Sequence, residues 1–107
     1  MLISNTPEIF GFKIIKSVDL VTGNMVQSKH IGRDIMAGLK TIIGGEVAGY
    51  TEMLIEAREK ALNRMITQAE QKGANAVVNI RFTTSAIQAG MSEILVYGTA
   101  VVVEKND

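Results

Sequence analysis

Apolar positions follow different periods along this chain. From Thr51 to Lys72, Leu54, Ile55, Ala57, Ala61, Leu62, Met65, Ile66 and Ala69 recur at helical spacing. They fill one face of about 180°, which predicts a long amphipathic helix. Thr51 suits its N-cap, Glu52 its first turn and Gly73 its C′ position. A second, weaker helical pattern runs from Ile31 to Ile43, with apolar residues at 31, 35, 39, 42 and 43 and two interrupting glycines, Gly32 and Gly38. Residues 10–27 are rich in β-branched types and are broken by Thr22-Gly23-Asn24, which predicts either two strands or one bent strand. Leu2 and Ile3 suit a short opening strand before a turn around Pro7. Residues 75–82 and 93–104 read as strands, with a loop over 83–92 between them.

The last strand has a consequence beyond its own boundaries. Ile94 to Val103 is nearly continuous in apolar residues, so both of its faces call for cover. One helix covers one face, and few elements remain to form a second layer, which makes self-association the economical solution. Gly98 within that strand predicts a bend or a close backbone approach.

With 107 residues the chain makes one domain, residues 1–107. Eleven basic and 11 acidic residues balance to zero formal charge, which argues against nucleic-acid and anionic-membrane partners. The absence of cysteine removes disulfides, thiolate nucleophiles and finger-type zinc sites. No basic segment precedes an apolar stretch at the N-terminus, and no run of about 18 apolar residues occurs anywhere, so a soluble cytoplasmic protein is expected.

Gly44 to Thr51, GGEVAGYT, matches a phosphate-loop pattern except at the lysine, where Tyr50 stands. Glu46 would place a carboxylate inside the phosphate cradle, and the preceding residues look helical rather than extended. The better reading is a corner in which Gly44 and Gly45 end one helix and Gly49 to Thr51 begin the next. Free N–H groups at such a corner suit weak anion binding without catalysis, which makes Gly45, Tyr50 and Thr51 candidate ligand contacts.

Arg58 falls near the middle of the apolar arc defined by Leu54, Ala61 and Met65. A charge there needs a partner: a carboxylate, buried or across a subunit boundary, or a bound anion. His30 and Asp34, four residues apart, share a face on a helix and are the candidate metal pair; a solvated surface histidine is the alternative. Two ligands fall short of a site, although symmetry can repeat them around an axis. The six methionines are scattered and read as core filling, and no serine has a base at recognisable spacing. The glutamates at 52, 56, 59 and 70 lie on the polar face of the long helix.

The run GGEVAGYTEMLIEAREKALNRMITQAEQKGANAVVNIRF, the early FKIIKSVDLVTGNMV and the closing YGTAV resemble the YbjQ family of small bacterial proteins across essentially the whole chain. The resemblance implies an α+β subunit of β-α-β-β type, with one long amphipathic helix on a small sheet, assembled into a homopentameric ring. The family carries a heavy-metal-binding label, which makes a metal ion the candidate cofactor, and it offers no catalytic residues to transfer. Its distinctive positions fall here on Gly44, Gly45, Tyr50, Glu56, Ala57, Arg58, Gly73, Ala74, Asn75, Gly98 and Thr99, each with a structural reading in corners, caps or subunit contacts. The expectation is a non-enzymatic homo-oligomer binding a metal ion or small ligand at subunit interfaces, with a ligand-free structural or interaction module as the alternative.

Overall fold

The computed structural model describes residues 1–28, 42–43, 46–88 and 91–107. Its strands are β1 (Leu2–Ile3), β2 (Phe12–Ser28), β3 (Ile42–Ile43), β4 (Glu46–Val47), β5 (Ala76–Gln88) and β6 (Met91–Lys105). One described helix, α1 (Ala48–Gln71), lies between β4 and β5. A four-stranded sheet takes the order β1-β5-β6-β2, and β3 and β4 form a separate two-stranded pair. β1 runs parallel to β5; the other pairings in the large sheet are antiparallel. The architecture is therefore α+β, with strands β1 and β2 before the helix and two after it, so the expected β-α-β-β order gains a strand. That strand is β1, the short opening strand that Leu2 and Ile3 suggested, held at the edge of β5 by Leu2 N–H donating to Asn75 O (3.2 Å) and Ser4 N–H donating to Val77 O (3.0 Å).

Residues 12–28 form one bent strand. Its register with β6 slips at Ile15 and again at Val18, two bulges that bend the strand while leaving the pairing continuous. Residues 83–88, expected in a loop, belong to β5: Thr83, Thr84 and Ile87 suit a strand, and β6 pairs with them as far as Gln88. The long strands, 17 residues in β2 and 15 in β6, stretch the molecule to 55 × 28 × 18 Å. Its radius of gyration of 17.0 Å exceeds the roughly 13 Å of a compact domain this long.

Helix α1 begins at Ala48, so Thr51 is its fourth residue rather than its N-cap, and its first turn holds no acidic residue. The pairing of β4 with Ile42–Ile43 ends where the helix starts. The expected helix over 31–43 lies outside the described residues except at Ile42–Ile43, which are strand; Gly44 and Gly45 also lie outside them. At the other end the expectation holds. Gly73 has φ 85°, its N–H donates to Glu70 O at 3.0 Å, and Ala74 N–H donates to Ala69 O at 3.1 Å, the paired bonds of a Schellman stop.

The helix packs on one face of the sheet, chiefly over β2 and β6. Ala57, Ala61, Met65 and Ala69 are buried against Val21, Val77, Ile94, Val96 and Ala100. Small residues bring helix and strand close: a Cβ on Gly23 would lie 2.0 Å from Ala61 O. Gly98 is likewise a close approach, where a Cβ would meet Val77 Cγ1 at 2.7 Å. On the opposite face Ala76, Val78, Val101 and Val103 form a second cluster with Ile9 and Phe12 packed on it. The N-terminal segment thus supplies the second layer that the apolar β6 requires, but only at one end, since Leu20 and Tyr97 on the same face remain exposed.

Candidate functional site

The buried positions of α1 advance by four residues at a time, 57, 61, 65 and 69. Each step turns about 40° around the helix, so the buried stripe winds along it as an i±4 ridge. Arg58, central in an arc averaged over the whole helix, lies about 100° from Ala57 at its own level and is exposed. With Leu62 and Ile66 it forms a parallel ridge along the helix flank.

Two hydrogen bonds show which way that flank faces. Gln68 Oε1 accepts from Thr22 N–H at 2.8 Å, and Arg64 Nη1 donates to Asn24 O at 2.6 Å, so these side chains close over the outer edge of β2. The Arg58–Leu62–Ile66 ridge is on the opposite side, towards β5, and Leu62 packs against the cluster that contains Ile80. Phe82 pairs with Val96 and so shares the sheet face on which the helix lies, yet it remains 47% exposed. The flank and β5 therefore border an open apolar shelf with Arg58 at its upper end.

The ion pairs among the described residues are Lys60–Glu56 at 3.7 Å and Lys72–Asp19 at 3.0 Å, and neither uses Arg58. Lys72 and, second, the Leu20 N–H (2.8 Å to Oδ1) hold the Asp19 carboxyl below its ordinary value. Arg81 is engaged by backbone, donating to Asn5 O at 2.7 Å and Ile80 O at 3.0 Å. Asn75 grips β6 from the side: its Nδ2 donates to Val103 O at 3.0 Å and its Oδ1 accepts from Val103 N–H at 2.8 Å.

Of the candidate contacts, Arg58 is exposed on the flank and makes no ion pair with a described residue, Tyr50 and Thr51 lie in the first turn of α1, and Thr51 is half-buried. Gly45, His30 and Asp34 lie outside the described residues. Among the described residues, no three His, Asp or Glu side chains come together as metal ligands. No helix among them is long and apolar enough to cross a membrane. The shelf beside Phe82 was not foreseen from the sequence, where Phe82 merely ends the predicted strand over 75–82.

One long helix laid over β2 and β6 of a four-stranded mixed sheet, its β5 flank open, defines a small α+β domain class. The solved structure of a DUF74-family protein from Pediococcus pentosaceus has this fold, with a TM-score of 0.64, 13% identity, and coverage of 97% of this chain and 98% of that one. The YbjQ family model, described as "Putative heavy-metal-binding", matches residues 1–104, and the chain belongs to that family. A UPF0145 protein of Photobacterium profundum is 65% identical over 101 residues, covering 94% of this chain and 98% of its own. One of Colwellia psychrerythraea is 62% identical over 105 residues, covering 98% and 100%, and one of Dehalococcoides mccartyi 53% identical over 104 residues, covering 97% and 100%.

Proposed function

We propose that this chain works as a non-enzymatic homo-oligomer, a pentameric ring, that holds a metal ion or a small anion at its subunit boundaries. The observation that carries the reading is the large apolar surface left in water. Phe10 is 103% exposed, Leu20 63% and Ile87 52%, at separate places on a subunit only 18 Å thick. Large apolar side chains left in water on several elements are the kind of surface that association covers. Arg58 on the free flank, with Gly45, Tyr50 and Thr51 ahead of it, supplies the anion candidates, and His30 with Asp34 the metal pair. The family description supports the metal alternative.

The second reading, an assembly or interaction module without ligand, is favoured by how the polar side chains are employed. Gln68, Arg64, Asn75 and Arg81 are each bonded to backbone, and Asp19 to Lys72, which commits these groups to holding the fold. Native mass spectrometry of freshly purified protein, before any chelator, separates the two. A pentamer with a reproducible extra mass supports the first reading, a bare pentamer the second, and a bare monomer sinks both.

A further inference from the structure

The turn from Ile9 to Phe12 puts one aromatic ring into water and is itself held from two sides. Ile9 and Phe12 pack on the cluster of Ala76, Val78, Val101 and Val103. Ile9 O accepts from Phe12 N–H at 3.0 Å, and Gly11 O accepts from Asn106 N–H at 2.8 Å. Gly11, third of the four residues, has φ 84°, the backbone that a type II turn demands there. Phe10 takes the second place and is fully exposed. A single exposed apolar side chain is ordinary, but this one stands on a backbone already fixed, so burying it adds little ordering cost. Two residues earlier, Glu8 is exposed and makes no ion pair with a described residue, and its carbonyl accepts from Thr6 Oγ1.

The shelf between α1 and β5 has the complementary make-up. Phe82 is exposed along it, Leu62 and Ile66 are half-buried, and Arg58 marks one end without an ionic partner among the described residues. Ile55, three residues before Arg58 and on the same flank of the helix, adds a further exposed apolar side chain. The turn and the shelf of one chain are too far apart to meet. β6 holds Lys105 opposite Phe12 and Val96 opposite Phe82, and the strand between them spans about 30 Å at roughly 3.3 Å per residue.

We infer that Phe10 of one copy seats on this shelf in the next copy, with Glu8 of the same turn meeting Arg58. The contact rests on the homo-oligomeric reading above and gives it two named surfaces. A second copy is the occupant because the ring and carboxylate on the turn match the apolar side chains and guanidinium on the shelf, a match that neither half finds among the described residues of its own chain. The two surfaces are different, so every copy offers one turn and receives one. Such a head-to-tail contact closes into a ring when a constant rotation brings the last copy back to the first. Seating the ring also excludes water from the ion pair beside it, which strengthens the pair and selects this turn over other exposed apolar groups.

Charge reversal and truncation test the contact. Glu8→Arg and Arg58→Glu are each expected to raise the protein concentration at which native mass spectrometry finds half the chains assembled by about 10-fold or more. The double variant Glu8→Arg/Arg58→Glu is expected to return to within about 3-fold of the parent. Phe10→Ala, which removes a side chain standing in water, is expected to raise the same concentration by about 10-fold or more. Far-UV circular dichroism should keep the subunit's signature in all four proteins. Any of the three single variants assembling like the parent, or a double variant assembling no better than the two reversals alone, overturns the contact and leaves the homo-oligomeric reading standing. If Phe10→Ala keeps the assembly and abolishes sedimentation with phosphatidylcholine vesicles, the turn serves a lipid surface and the contact likewise falls. A parent that is monomeric at every concentration overturns both.

Discussion

Gly23 and Ala61 meet where a strand and a helix touch almost backbone to backbone: a Cβ on Gly23 would stand 2.0 Å from Ala61 O and 2.6 Å from Met65 N. Neither neighbour is a flexible side chain, so the added methyl can be accepted only by lifting α1 off β2. Gly23→Ala is expected to cost about 3 kcal/mol or more, the upper range for overpacking a core. A thermal melt checks this; a midpoint within about 2 °C of the parent would show that helix and strand are less tightly joined than the geometry requires.

Asn75 substitutes for a strand at the end of the sheet, meeting both the N–H and the C=O of Val103 at 2.8 and 3.0 Å. Asn75→Ala leaves two partly buried backbone groups without that partner and is expected to cost about 1–3 kcal/mol. Asn75→Asp keeps the acceptor but turns an ionised oxygen towards Val103 O, so it should be no better than alanine at neutral pH. Chemical denaturation of the three proteins ranks them, and an aspartate variant as stable as the parent would contradict the pairing.

The elements that could be read along the chain were those whose own residues set them. Gly73 stops α1 as expected because a positive φ at C′ is a local requirement. The need for two covers on β6 was legible from its apolar run, and the cluster of Ala76, Val78, Val101 and Val103 supplies one of them. What escaped depended on pairing and packing rather than on each residue's own preference. Residues 83–88 looked like a loop because their polar threonines and serine show no alternation, and pairing with β6 makes them strand. α1 starts at Ala48, directly after the β3–β4 pairing, rather than at Thr51. Arg58 was placed within the core face by a helical projection that assumes a straight stripe, whereas the stripe winds by about 40° per four residues. Whether His30 and Asp34 come together was not legible either, since spacing on an assumed helix does not establish that the helix exists.

Asp19 and Lys72 tie β2 to the end of α1, and the pair predicts an acid dependence. The carboxyl lies below its ordinary value in the folded state, mainly through the Lys72 hydrogen bond and then the Leu20 N–H. A depressed carboxylate contributes stability above the unfolded value of about 4, and the contribution is lost as pH falls through the folded value. Asp19→Asn should therefore lower the urea midpoint slightly at neutral pH and converge on the parent below about pH 4, which flattens the fall into acid. Because both groups are exposed, added salt should shrink the difference. An unchanged acid limb in the variant would remove the pair from the account of stability.

Arg58 decides between a contact and a ligand. It is exposed in the single subunit, and no described residue pairs with it, so Arg58→Met should leave subunit stability within about 0.5 kcal/mol of the parent. Its place beside Leu62 and Ile66 on the uncovered flank favours a carboxylate from a neighbouring subunit, and an ion pair formed there would lose its water and gain strength. The expected result is partial dissociation of the assembly by native mass spectrometry, with the same loss produced in the parent by high salt. Should Arg58→Met instead keep the full assembly and lose binding of added phosphate, measured by calorimetry, the guanidinium serves an anion, and the ligand-holding reading gains its first named contact.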